Sequence, residues 1–217
     1  MNRYFAPGCA LLVYKPHLAA KIQQFLDTDF GNITEYTACC HNMPDIPLPA
    51  EIINACSGCQ RRYSKHYENV SAITLWEVLA QSDHFPFPDY GGMEMAIHDS
   101  CPTRKKEEIC DAVRKLLKRM NITVIEPELT RENAVCCGDS YYGEWPKEEV
   151  LRRQTERAGQ MPCEDVVVYC VSCIKSMANG SKKPHHLVDL LFNEETIPGD
   201  TDPDRWHALL EEFVAEH

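Results

Sequence analysis

The chain has 217 residues, 44% hydrophobic and 25% charged, enough apolar material for one large core or two small ones, which excludes disordered, collagen-like and coiled-coil classes. Its 33 acidic residues outnumber 22 basic ones, for a net charge of −11, the wrong sign for a polyphosphate backbone, so nucleic acid is not an expected partner. No apolar run approaches the roughly 18 residues that spanning a bilayer requires, and no basic stretch leads into an apolar one at the N-terminus; the expectation is a cytoplasmic protein without membrane insertion. Twelve cysteines in a reducing compartment cannot form a disulfide framework, and they point to metal ligation.

In chain order, residues 3–6 form a short apolar strand ending near Cys9, and Leu18, Ala19, Ile22, Phe25 and Leu26 recur at helical spacing. Residues 32–36 read as a β-branched strand running toward Cys39 and Cys40. Cys56 and Cys59 follow as a CxxC, and residues 75–79 make a short closing helix. The second half repeats this order. A strand over residues 93–98 precedes Cys101, and Ile109, Ala112, Val113, Leu116, Leu117 and Met120 mark one buried helix face. A strand over residues 121–125 runs toward Cys136 and Cys137, and residues 166–169 form an apolar strand leading directly into Cys170 and Cys173. Leu187–Leu191 is the second closing helix, and residues 203–217 form an amphipathic helix begun by Asp202 and Pro203.

Setting Cys110 and Cys163 aside, the remaining ten cysteines fall into two sets of five in one order: a single cysteine, an adjacent pair and a CxxC. The chain reads as a duplication, with repeats over residues 1–92 and 93–194 and a linker plus C-terminal helix over 195–217. Alternating strands and helices predict an α/β fold of two pseudo-symmetric βα repeats with short parallel sheets, and cysteines at the C-terminal ends of the strands. The repeats differ in one respect. Between pair and CxxC lie 15 residues in the first half and 32 in the second, the extra length including a charged helix from Pro146 to Arg157.

A cubane cluster takes four thiolates, and each set offers five. A Cys₄ zinc site is the alternative, most readily in the first set with its shorter gap. Gly138 after Cys136 and Cys137 leaves room for close packing at the pair. Cys101, 34 residues, Cys136-Cys137-Gly138, 31 residues and Cys170-Val171-Ser172-Cys173 resemble the cysteine-rich CCG domain found in the B-type subunit of heterodisulfide reductase. The same domain occurs in iron–sulfur subunits of glycolate, lactate and anaerobic glycerol-3-phosphate oxidising systems. His98-Asp99-Ser100-Cys101 is similar to the family's HDPC-type segment, and His186 to Leu191 to its C-terminal helix. The resemblance implies that Cys101, Cys136, Cys137, Cys170 and Cys173, with Gly138, hold a [4Fe-4S] centre, noncubane in the heterodisulfide reductases, at which a disulfide is cleaved in single-electron steps. By the same resemblance Cys9, Cys39, Cys40, Cys56 and Cys59 hold a second [4Fe-4S] centre, with zinc as the other occupant; His41 stands there in place of the glycine.

His98, three residues before Cys101, is the candidate catalytic group, able to protonate a leaving thiolate. Arg61, Arg62 and Lys175 flank the CxxC pairs and could offset thiolate charge. His185 and His186 read as the start of a helix, Cys110 and Cys163 as packing residues, and Tyr63, Tyr67, Tyr141, Tyr142 and Trp145 as either core or pocket lining. No GxGxxG fingerprint is present, so electrons are expected from a ferredoxin-like or flavoprotein donor subunit, with a thiol or disulfide as substrate. An electron-transfer module without substrate contact and a zinc-stabilised structural protein are the competing readings.

Overall fold

The computed structural model describes residues 2–217 and divides into two compact units, Met1–Pro86 with Leu209–His217, and Phe87–Ala208. The first contains β1 (Asn2–Ala6), α1 (Cys9–Tyr14), α2 (Pro16–Phe30), β2 (Thr34–Glu35), β3 (Ala50–Asn54), α3 (Ser57–His66), β4 (Val70–Thr74) and α4 (Leu75–Gln81). The second contains β5 (Glu94–His98), α5 (Glu107–Arg119), β6 (Thr123–Ile125), α6 (Lys147–Gly159), β7 (Asp165–Val168), α7 (Val171–Asn179), β8 (Lys183–His186) and α8 (Leu187–Leu191). A last helix, α9 (Pro203–Glu216), begins in the second unit.

Each unit is built on a four-stranded sheet in which every neighbouring pair is parallel, in the orders β2-β1-β3-β4 and β6-β5-β7-β8. The shared order makes the two units repeats of one topology, as the cysteine order predicts. Parallel strands are covered on both faces and so carry continuous apolar runs rather than alternation. Val166, Val167 and Val168 are wholly buried for that reason, as are Ala96 and Ile97 beside them. The switch point of each sheet lies between its two central strands, where successive connections leave in opposite directions, and ligands of open parallel sheets collect there.

Four strands depart from the sequence expectation. The strand expected over residues 32–36 shortens to the two residues of β2, at a sheet edge. The central strand β3 and the edge strands β4 and β8 have no counterpart in that expectation. His185 and His186, expected to open a helix, instead end β8, with His186 also preceding α8 as its cap residue. Lys183-Pro184-His185-His186 has no apolar signature, and Pro184 lacks an amide proton; an edge strand tolerates both because one side of it needs no partner. The helix over 147–159, the closing helices and the C-terminal helix form as expected.

One buried ion pair fixes the turn that leaves β5. Asp99, fully buried, receives two parallel hydrogen bonds from Arg114 of α5, at 3.1 and 2.9 Å. It also accepts from the Thr130 hydroxyl at 2.9 Å, the Arg131 amide at 2.8 Å and the Tyr169 hydroxyl at 3.1 Å. Burial by itself would raise this carboxyl; the Arg114 bonds and the other donors outweigh it and hold the group down at about 2. Removing one partner of such a pair leaves the other buried and uncompensated. Asp99→Ala is therefore expected to cost about 3–5 kcal/mol of stability, read as a lowered urea midpoint of the second unit; a midpoint within experimental error of the parent would refute this role.

Candidate metal centre

In the first unit the β1 turn ends at Gly8 and Cys9, and Cys9 opens α1. Gly8 has φ 84°, and a Cβ there would stand 2.9 Å from Cys56 Cβ, so the turn after β1 lies directly against the turn after β3. Cys56 caps α3 and Cys59 lies in its first turn, while Cys39 and Cys40 come from the loop after β2. The thiols of Cys39 and Cys40, Cys40 and Cys59, and Cys56 and Cys59 lie close enough to shift one another's ionisation, and Cys56, Cys39 and Cys40 also act on Cys9. The five thiols of the first set therefore converge. Burial, reinforced by Cys56 and the other thiols, pushes Cys9 up to about 12, whereas Cys59 draws Cys56 down to about 6 against its burial. Several thiolates cannot share one buried place unless a cation offsets them.

The second unit repeats the arrangement. Cys101 follows β5, Cys136 and Cys137 follow β6, Cys170 caps α7, and Cys173 lies in the first turn of α7. Their thiols lie close enough to act on one another in succession, Cys101 with Cys136, Cys136 with Cys137, Cys137 with Cys173 and Cys173 with Cys170. Cys136 is held well below the ordinary thiol range, first by Cys101, then by Cys137, Ser140 and the Gly138 amide. The amide of Gly138 lies 3.3 Å from Cys136 Sγ, and the Ser176 hydroxyl donates to Cys137 Sγ at 3.3 Å. Gly138 has φ 112°, and a Cβ on it would meet Gln154 Cγ at 2.8 Å and Gln154 N at 2.9 Å. The room that this glycine leaves is taken by α6.

His98, the last residue of β5, is fully buried. One of its ring nitrogens and the sulfurs of Cys137 and Cys173 all lie within 4.8 Å of one another. Its Nδ1 accepts a hydrogen bond from Arg157 Nε at 3.2 Å, and its Nε2 has no hydrogen-bond partner. Burial, and then the Arg157 charge, pull the imidazole down to about 4, so it is neutral at neutral pH.

The remaining sequence candidates divide. Lys175 is committed to the Pro198 carbonyl and to the Trp206 ring, 5.3 Å away. Arg61 is exposed; Arg62 lies by Cys39 and Cys40 with its Nε buried and without a partner. Tyr63 packs in the core against Cys40 and Cys59, and the Tyr67 hydroxyl bonds the Cys40 carbonyl at 2.6 Å, so both support the pair from behind. Tyr141 stacks on Trp145 at 4.2 Å and Tyr142 on His207 at 3.9 Å. Cys110, wholly buried in α5, is raised to about 11 by burial. In sequence Arg157 reads only as the end of a charged helix. The available signal is its spacing with Val150, Gln154 and Ala158, which together form the buried face of α6.

Residues 95–178, which include all five cysteines of the second set, match the cysteine-rich CCG domain. The chain is 28% identical over 110 residues to the probable iron-sulfur-binding oxidoreductase FadF of Bacillus subtilis, covering 45% of this chain and 16% of that protein. It is 30% identical over 102 residues to the EtfAB:quinone oxidoreductase of Syntrophomonas wolfei, covering 42% of this chain and 14% of that protein. The chain thus spans under a fifth of the length of these relatives. Among solved structures, Picrophilus torridus aspartate racemase aligns over 98% of this chain and 94% of that one, at a TM-score of 0.31 and 12% identity, too distant to equate the folds. In its second half the chain resembles CCG cysteine-rich domain proteins, and the relatives it matches are named as oxidoreductases.

Gly138→Ala forces a Cβ into α6 at a left-handed φ. It is expected to cost about 1–3 kcal/mol from the backbone alone and to lower metal retention by the second set; thermal melts and metal analysis of the variant beside the parent check both.

Proposed function

We propose that the chain is the iron–sulfur component of an electron-transferring oxidoreductase, with Cys101, Cys136, Cys137, Cys170 and Cys173 holding a four-iron centre in the second unit. Cys9, Cys39, Cys40, Cys56 and Cys59 hold a second metal centre in the first. The observation that carries this reading is the convergence of five thiols at the switch point of each sheet, in one case within the segment similar to a CCG domain. Five thiolates are one more than a cubane requires, which favours a noncubane form in the second set. When bound, such a cluster supplies one-electron redox chemistry.

The chain's own part is ligation, electrostatics and shielding. The amide of Gly138 and the hydroxyl of Ser176 hold sulfur lone pairs at Cys136 and Cys137. Cys137 and Cys173 are buried, whereas Cys101, Cys136 and Cys170 are half-buried, which leaves one side of the set open to an incoming electron carrier or to a small disulfide. The similarity to a protein named EtfAB:quinone oxidoreductase supports a protein electron donor, of the ferredoxin-like or flavoprotein kind. Among the described residues no helix is long and apolar enough to cross a membrane.

Iron, zinc and acid-labile sulfide per chain, measured on anaerobically purified protein, test the reading. About eight irons with matching sulfide are expected if both sets carry four-iron clusters; about four irons with one zinc would assign zinc to the first set. Zinc without sulfide would overturn the redox function. In the eight-iron case Cys137→Ser and Cys59→Ser are each expected to remove about half of the iron. Rapid reoxidation of the reduced protein by a small disulfide would support disulfide reduction, and its failure would restrict the role to electron transfer.

A further inference from the structure

The pairing of His98 with Arg157 decides which kind of contact the histidine can make with the second thiol set. A guanidinium has no acceptor, so the 3.2 Å contact from Arg157 Nε requires a lone pair on His98 Nδ1. In a neutral imidazole the proton then sits on Nε2, the atom without a partner. A metal-ligating histidine has the opposite arrangement: the ligating nitrogen is bare and the other donates to an acceptor. His98 is therefore built as a donor and not as a ligand, although one of its ring nitrogens lies within 4.8 Å of the sulfurs of Cys137 and Cys173.

A second observation points to the same acceptor. Arg157 is 2% exposed, and its hydrogen-bond partners are neutral: His98 Nδ1, Gln160 Oε1 at 2.8 Å and the Leu129 carbonyl at 2.8 Å. Asp99, the nearby carboxylate, is occupied by Arg114. A buried cation with neutral partners needs an anion close by, and a thiolate-bound cluster is one. The device is confined to one repeat. In the register of the two sheets Ala6 opposite Asn54 holds the place that His98 opposite Val168 holds in the second, and the first unit has no counterpart of α6 to carry an arginine.

We propose that His98 donates its Nε2–H to a sulfur of the second centre, either a ligating thiolate or a bridging sulfide, and that Arg157 is the positioning residue that fixes the donating tautomer. This rests on the iron–sulfur reading above. The reduced centre carries one more negative charge than the oxidised one, so the donor stabilises the reduced form and raises the reduction potential.

The test uses the full chain, purified or reconstituted anaerobically, with iron and sulfide measured for every sample. In potentiometric titrations followed by electron paramagnetic resonance, His98→Leu is expected to shift the second centre to lower potential. His98→Gln, which keeps an N–H donor, is expected to recover part of that shift, and Arg157→Met to lower the potential with His98 still in place. Pulsed hyperfine spectroscopy of the unsubstituted protein labelled with ¹⁵N-histidine avoids any folding failure of the variants. A weak nitrogen coupling together with an exchangeable proton is expected. A strong nitrogen coupling would make His98 a ligand and overturn the inference, as would an unchanged potential in His98→Leu at equal iron content. A parent chain without iron and sulfide at the second set would instead overturn the functional reading, and the inference with it.

Discussion

The C-terminal ends of parallel strands all face one edge of a sheet, and everything about the two thiol sets depends on that constraint. A strand that ends and turns back over the sheet must expose its turn at that edge, and both central strands of each sheet deliver a cysteine there. The single cysteine and the CxxC of a set are remote in sequence but become neighbours, because β1 pairs with β3 and β5 with β7. The cysteine pair arrives from the outer side, following the edge strands β2 and β6. Each CxxC begins a helix, so the amides of its first turn face the sulfurs and favour negative charge.

Once collected, the thiols are in conflict with their surroundings. Burial favours protonation, whereas crowding drives some members of each set toward the thiolate, Cys40 and Cys56 in the first and Cys136 in the second, and their neighbours toward the thiol. A cation or cluster held among them would relieve that conflict. The supports behind the sulfurs serve the same end. Asp99 and Arg114 fix the turn before Cys101, and Trp206 at the start of α9 bonds Ser172 between Cys170 and Cys173 at 2.9 Å. Asp139 beside the cysteine pair meets His207 at 3.1 Å, so the same helix steadies two of the three loops of the second set.

The two repeats share a frame and differ in electrostatics. The longer connection of the second unit adds α6, which packs against Gly138 and brings Arg157 to His98. The first unit has a short loop held by Tyr67 and carries Arg62 near its cysteine pair. A duplicated scaffold thus carries two thiol sets whose surroundings are not equivalent.

Much of this is written in the sequence. Helical periodicity locates α2 and α5, four successive apolar residues locate β7, and the order of ten cysteines announces the duplication, because these features follow from local spacing and from the chemistry of single residues. The edge strand β8 is not legible there, because Lys183, Pro184, His185 and His186 carry no local β signal and pair only because β7 is already there. The role of Arg157 is hidden in another way: its spacing with Val150 and Gln154 marks the buried face of α6, but nothing local names a histidine 59 positions earlier as its partner. The sequence by itself determined the α/β class, the repeat and the identity of the thiol sets, since spacing and residue chemistry are local properties. Only the tertiary structure decided which thiols meet, which atom of His98 meets Arg157 and what Gly138 makes room for, because each of these is set by a partner distant along the chain.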